Sequence, residues 1–273
     1  MSPKLTPNDA SISRKVNVRV RANCLADLCD TVTIENPPQP VRLVISEDGG
    51  TIWTHDTSRT AQVLVNDYPL AGLRIKDPCV LLVQPRHFSE LLRAKFKDEA
   101  VEIETDSSKP IHIKSKSGAS VVYHAADEDD CATVPDHWIL PVDDDGLRVF
   151  PMFDNESASS KILIDTDEIK RGLLDMRIAN APYVEFNFSD SGSFAQSGHW
   201  GAKTNQSKTP VTADIEGEDC VVCFTENLAD IISRFKGSTQ VEIQRHKKGG
   251  LFVISAADGP DVTIVATEAV RES

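Results

Sequence analysis

No uninterrupted apolar run of about 18 residues occurs in the chain, which argues against a bilayer-spanning helix and so against a membrane partner. The first residues, MSPKLTPNDASISRK, hold no apolar stretch of the kind a secretory leader needs, so an intracellular protein is expected. Six cysteines without regular spacing fit small buried hydrophobes in a reducing compartment better than a disulfide framework. The seven histidines include no pair four residues apart that would hold zinc from one helix face, and no glycine-rich phosphate loop is present. Positive charge is scarce: 29 Lys and Arg face 42 Asp and Glu, for a net charge of -13. That excludes a nucleic-acid binder working through its whole surface, but leaves room for a local basic face.

What remains is a globular composition, 40% hydrophobic and 26% charged over 273 residues. Its halves repeat each other. At a spacing of 140, Phe88, Leu91 and Leu92 return as Leu228, Ile231 and Ile232, and Val101-Glu102-Ile103 returns as Val241-Glu242-Ile243. Ile111 and Ile113 fall against Leu251 and Val253, and, at a spacing of 143, Ser46-Glu47-Asp48-Gly49 against Ser189-Asp190-Ser191-Gly192. Two repeats are too few for a solenoid, so a duplicated domain is expected. The divisions read as a polar arm over residues 1–13, a first domain over 14–125, a connector over 126–159 and a second domain over 160–273.

Alternation at Val16, Val18 and Val20 marks a strand, and Asn23 reads as the cap of a short helix from Leu25 to Thr31. Val41 to Ile45 and Thr51 to Thr54 flank the turn Glu47-Asp48-Gly49-Gly50, the pattern of a hairpin. Strands are expected at 61–65, 80–83, 100–105, 110–116 and 119–125, with a helix opening at Pro85 and burying Phe88, Leu91 and Leu92. In the second half, strands near 162–164, 183–188, 193–197, 200–206, 210–215 and 220–224 surround a helix from Thr166 or Asp167 through Met176. A helix over 226–235 and three strands complete it. Each half thus holds two β-α-β-β-β units, an α+β class with mostly antiparallel sheets. The connector carries Pro135, Pro141 and Pro151, and offers Trp138, Ile139 and Leu140 to a partner.

No catalytic constellation emerges, and neither a cofactor nor a metal is expected. Cys220-x-x-Cys223 falls within a strand, where residues three apart face opposite ways, so core packing outweighs redox or metal work. Asp143-Asp144-Asp145-Gly146 resembles an ion loop, but Leu147 and Arg148 occupy positions where calcium needs an oxygen ligand and a glycine; a solvated acidic loop is the better reading. The helices are more informative. Arg86, Arg93, Lys95 and Lys97 lie along 84–98, Lys170, Arg171 and Arg177 along 166–177, and Arg234 and Lys236 end 226–236. They either complement the helix dipoles, at roughly 0.3 to 1 kcal/mol each, or form a lining that meets phosphates without reading bases.

Four β-α-β-β-β units in two domains resemble the sliding clamps of the proliferating cell nuclear antigen family. The similarity covers approximately residues 14–270, with the best local match from Asp48-Gly49-Gly50-Thr51 through His55-Asp56-Thr57-Ser58 to Val63, and a second from Phe224 to Val253. The resemblance implies a ring, a homotrimer of head-to-tail copies around double-stranded DNA, that tethers a DNA polymerase as a processivity factor without catalysis and is placed by a clamp loader. It puts Arg93, Lys95, Lys97, Lys170, Arg171, Arg177, Arg234 and Lys236 toward DNA. A partner-peptide pocket follows from it, walled by His55, Thr60, Gln62, Trp138, Ile139, Leu140, Gly250, Ile264 and Ala266. So does a subunit contact between Ser120, Val121, Val122 and Tyr123 of one copy and His199, Trp200, Ala202 and Lys203 of the next. The chain departs from the family in its first helix, which has Asp27 and Asp30 but no cation, and in a long connector and a short tail; a divergent viral or salt-adapted archaeal clamp fits these features. Two other readings fit the residues: a clamp-fold factor working as a monomer or in a mixed ring, and a β-rich structural or virion protein.

Overall fold

The computed structural model describes residues 16–33, 39–55, 61–105, 110–131, 140–197, 206–225, 232, 239–259 and 261–267. The chain divides into two compact units, residues 1–134 with 260–262 and residues 135–259 with 263–273. The arm over 1–13 lies outside the described residues.

In the first unit, β1 (Val16–Arg21) runs straight into α1 (Ala22–Thr31), followed by β2 (Val41–Ser46), β3 (Gly49–His55) and β4 (Ala61–Tyr68). The same order returns as β5 (Cys79–Val83), α2 (Pro85–Phe96), β6 (Ala100–Thr105), β7 (Ile111–Ser115) and β8 (Ser120–Tyr123). The two β-α-β-β-β segments exchange their first strands. β1 pairs antiparallel with β6 of the other segment, in the sheet β1-β6-β7-β8, while β5 pairs with β2 beside β3 and β4. Neither segment can complete its sheet alone, so the unit is expected to fold as one. The helices pack against each other, and fully buried Leu25, Leu28, Phe88, Leu92 and Phe96 fill the core with Val20, Val101 and Ile113.

The second unit repeats the plan. Here β11 (Ser160–Asp165), α3 (Thr166–Ala179), β12 (Tyr183–Phe188), β13 (Ser193–Ser197) and β14 (Ser207–Val211) are followed by β16 (Cys220–Thr225), β17 (Gln240–Arg245), β18 (Leu251–Ala256) and β19 (Asp261–Thr267). Again the first strands are exchanged: β11 pairs with β17, and β16 with β12. An added strand, β15 (Ala213–Gly217), covers the outer side of β11. The aromatic core runs from Phe188 through Phe186 and Phe224 to Phe252, with ring centroids 5.1 to 6.1 Å apart. Val101-Glu102-Ile103 and Val241-Glu242-Ile243 lie on β6 and β17, each beside the leading strand of its unit. This is the α+β architecture expected from the repeat.

Several local expectations are corrected. Asn23 does not cap α1, because the helix already starts at Ala22, with Arg21 as its cap; the Ala22 N–H is held by the Glu99 carbonyl at 3.0 Å. The hairpin turn is tighter than expected: Ser46 faces Gly49, leaving only Glu47 and Asp48 to turn. Gly49 has φ +145°, and a Cβ there would lie 2.4 Å from the Tyr68 carbonyl oxygen, so a glycine is required. Helix α3 continues past Met176 to Ala179, where Asn180 in a left-handed conformation returns its N–H to Arg177 and Met176. The connector is not devoid of structure. It holds a small hairpin, β9 (Val149–Phe150) with β10 (Glu156–Ser157), turned by left-handed Asp154 and Asn155. The expected strand over 200–206 and helix over 226–235 lie outside the described residues, save Gln206 and buried Ile232. Among the described residues no helix is long and apolar enough to cross a membrane.

Candidate nucleic-acid interface and partner surfaces

Among the described residues, the cations expected to face DNA sit on α2 and α3 or, for Lys97, at the C-cap of α2, and acids accompany most of them. α1 carries two acids and no base, α2 three bases and one acid, and α3 three of each, so the formal charges of the described helices cancel. Arg93 is committed to its neighbours: its Nη2 lies 2.7 Å from Asp27 Oδ1 and 2.5 Å from Asp30 Oδ2, across the α1–α2 seam. Buried Ser89 donates its hydroxyl to the other oxygen of Asp30 at 2.5 Å. The hydrogen bond to Asp27 holds the Arg93 guanidinium above its ordinary pKa, partial burial pulling the other way. Beneath the seam, burial pushes the Cys29 thiol up, with Asp30 adding to the shift.

Lys95 and Lys97 are exposed and make no ion pair among the described residues. Lys170 Nζ is 3.0 Å from Asp167, a fully local pair of the kind worth about 0.3 to 0.5 kcal/mol. Arg171 pairs with Glu168 and also donates to the Pro210 carbonyl at 2.7 Å. Arg177 is exposed in the last turn of α3. Leu174 and Ile178, one turn apart on that helix, are 56% and 68% exposed. The sequence reading ended the helix at Met176 and so missed that apolar pair. Arg234 and Lys236 lie outside the described residues.

The connector is fastened to the second unit at several points. Leu140, Phe150 and Ala158 pack with Leu251, Val253 and Val265. Arg148 donates its backbone N–H to Gln244 Oε1 at 2.6 Å and its guanidinium to the Leu140 carbonyl at 3.2 Å. Fully buried His246 stacks on Phe153 at 4.4 Å, its Nδ1 accepting the Lys248 N–H at 3.2 Å and its Nε2 meeting Glu156 at 3.2 Å. With Nδ1 accepting from the backbone, Nε2 is the ring nitrogen turned to Glu156. Glu156 is held below the usual carboxylate range by Lys247, whose ammonium is 2.8 Å away. Asp143 is more than a solvated acid, since it accepts the N–H groups of Asp145 and Leu147 and the Ser157 hydroxyl at 2.5 Å. Those bonds, Ser157 first, hold its pKa down.

Of the expected pocket wall, His55 is half-buried with its ring 5.3 Å from Trp53, Gln62 is buried and Gly250 is exposed. Ile264 and Ala266 are fully buried. Strand alternation puts them on the face of β19 opposite Val265, the residue that receives Leu140. Leu251, Val253 and Val265 are therefore the connector's seat in this unit, which a positional reading one residue out of phase misses. Thr60, Trp138 and Ile139 lie outside the described residues.

At the expected subunit contact, β8 is the edge of its four-stranded sheet, with Ser120 and Val122 exposed and Val121 half-buried. Tyr123 instead turns inward, packing on Phe88 at 5.0 Å and accepting the Gln84 N–H. The expected partners His199, Trp200, Ala202 and Lys203 lie outside the described residues; in the second unit β14 is an edge of the four-stranded sheet β14-β13-β12-β16. Among the described residues no group of three or more His, Cys, Asp or Glu side chains is placed to hold a metal, and Cys220 and Cys223 are both buried and not joined in a disulfide.

No protein-family model and no curated protein sequence matches this chain. Solved structures do. Proliferating cellular nuclear antigen from Entamoeba histolytica matches over 94% of this chain and 100% of its own, with a TM-score of 0.68 at 9% identity. The PCNA2–PCNA3 complex from Sulfolobus tokodaii matches over 93% of this chain and 98% of that chain, with a TM-score of 0.65 at 13% identity. The β chain of DNA polymerase III from Streptococcus pneumoniae matches over 99% of this chain and 68% of its own, with a TM-score of 0.71 at 15% identity. Along nearly its whole length, this chain carries the fold of the DNA sliding clamps, as found in the proliferating cell nuclear antigen and the β chain of DNA polymerase III.

Proposed function

We propose that the protein is a sliding clamp, a ring of several copies that encircles duplex DNA and tethers a polymerase without catalysing a reaction itself. The observation that carries this reading is the end-to-end correspondence in fold with the nuclear antigen of Entamoeba histolytica, whose whole chain is matched. Lys95, Lys97, Lys170, Arg177, Arg234 and Lys236 are the proposed phosphate contacts. Partner peptides dock at the connector beside Leu140, and copies join through the β8 edge. The clamp loader and the nuclear or cytoplasmic site of action follow from the same reading.

A second reading, a monomeric factor or one member of a mixed ring, is favoured by the cancelling charges of the three described helices. Helices of balanced charge hold DNA weakly unless another subunit adds cations. Loading onto nicked circular DNA, followed by linearisation, separates the two. An encircling clamp stays on the circle at high salt and slides off the cut molecule. Equal retention on both forms would rule out encirclement.

A further inference from the structure

Strand alternation in β1 turns Val18 and Val20 into the core with the helices, so Arg19 stands on the opposite face of the sheet β1-β6-β7-β8. Beside β1 the chain returns at Arg74, whose N–H donates to the Arg19 carbonyl at 2.8 Å and whose carbonyl accepts the Arg19 N–H at 3.0 Å. Residues paired in this way share one face, with their Cα atoms about 5.5 Å apart. Like charges directly opposite destabilise a sheet. Arg74 is exposed and Arg19 half-buried, and among the described residues neither guanidinium has a hydrogen bond or an ion pair. Arg21, next on that face, is already engaged, giving Nη1 to the Asp98 carbonyl at 2.8 Å.

Strand register extends the row across the sheet. Arg74, Arg19, Glu102 and Lys114 lie side by side, three cations and one acid, with Glu104 3.7 Å from Lys114. The duplication supplies a comparison, because Glu102 and Glu242 hold the same place in the repeat and each lies beside the leading strand of its unit. In the second unit the equivalent row is Asp214, Leu163, Glu242 and Ser255, two acids and no cation. Lys161, on the same strand as Leu163, stands 3.5 Å from both Glu216 and Glu242. The same position in the fold is thus built without opposed cations, and the first unit keeps them in a chain of net charge -13.

We infer that Arg19 and Arg74 grip the carboxylates of a short acidic segment of a partner protein, laid across this face from the arginine pair toward Lys114. A guanidinium fork matches a carboxylate with two parallel hydrogen bonds, and an anion held between the two arginines replaces their repulsion by attraction. From Arg74 to Lys114 is three strand spacings, about 14 Å, the length of about four residues of extended chain. A nucleic-acid strand fits less well. It presents one phosphate after another, and Glu102 and Glu104 interrupt the row, whereas a peptide needs carboxylates only where the cations stand. The row also lies across the sheet from the helices proposed to meet DNA, so both ligands can be held together; that last point rests on the clamp reading.

The test is fluorescence anisotropy of a labelled penta-glutamate peptide titrated with the full chain at low salt. Arg19→Ala and Arg74→Ala are each expected to weaken binding about tenfold, the worth of one charge-assisted hydrogen bond. Glu102→Gln is expected to tighten it, and Lys161→Ala, in the second unit, to leave it unchanged. Both arginine variants should hold or raise the urea midpoint, because each relieves the opposed charges. A midpoint lowered in both would assign the pair an internal structural role and overturn the site, as would a peptide affinity unchanged in both or equally weakened by Lys161→Ala. A duplex oligonucleotide that loses affinity in the arginine variants while the peptide does not would overturn the acidic segment as the occupant. The peptide titration needs no DNA circle, so failure on circular DNA would sink the clamp reading and leave the arginine site standing.

Discussion

Arg93 is the cation that the α1–α2 seam removes from service. It faces two carboxylates, with 41% of its side chain exposed and Asp27 and Asp30 at 26% and 37%. A fully buried pair of charge-assisted bonds would be worth several kcal/mol, but solvent screens this one, so Arg93→Ala is expected to cost about 1 to 2 kcal/mol of stability. The substitution removes the guanidinium that Asp27 and Asp30 share. Its effect on DNA should be small. Each phosphate contact contributes roughly 0.9 to the slope of log affinity against log salt, and Arg93 makes no such contact while its fork is filled. Arg93→Ala is therefore expected to leave the slope unchanged, whereas Lys95→Ala or Lys97→Ala lowers it by about 0.9. The double change Asp27→Asn, Asp30→Asn frees the guanidinium and should steepen the slope by about the same amount. Fluorescence anisotropy with a duplex, over about 50 to 200 mM salt, reads all four proteins. A drop of about 0.9 in Arg93→Ala alone would show that the arginine reaches phosphate in spite of its acids, and would refute the reasoning.

Gly172 sits inside α3, where alanine normally favours a helix by about 1 kcal/mol. Its Cβ would lie 2.6 Å from Phe186 Cζ and 3.1 Å from Ala195 Cβ, so Gly172→Ala is expected to lower the urea midpoint, with strain of about 1 to 3 kcal/mol outweighing propensity. A raised midpoint would show that Phe186 gives way freely. The connector should loosen in acid. Asp143 and Glu156 both have folded pKa values below their ordinary 3.8 and 4.5, so their contribution is complete above those values and is lost as pH falls through the lower folded ones. Hydrogen exchange corrected for intrinsic rate should show the Leu147 and Ala158 amides losing protection below about pH 4, ahead of the Val241 and Ile243 amides in β17. Simultaneous loss would mean that these carboxylates do not fasten the connector.

Much of the architecture is legible in the residues because local periodicity reports which face is buried. Phe88 and Leu92 recur at helical spacing and are fully buried, and the alternating run Tyr183–Phe188 is a strand with those bounds. The candidate site was less legible. Arg93 and Lys95 read alike as helix cations, yet only one meets acids from another helix, a meeting between residues more than 60 positions apart in the chain. Ile264 and Val265 are adjacent, apolar and equally suited to a pocket wall. Only packing shows that Val265 receives the connector.

The sequence by itself determined the duplication, the order of elements within each unit, and the scarcity of positive charge. Tertiary structure decided which strand each leading strand joins, so that β1 completes the sheet of β6 and β11 that of β17. It also decided which cation meets acids from another helix. The physical reason is the same in each case. Spacing along the chain fixes the direction a side chain takes from its own element, whereas hydrogen-bond partners and counter-ions are chosen among elements that meet only when the chain has folded.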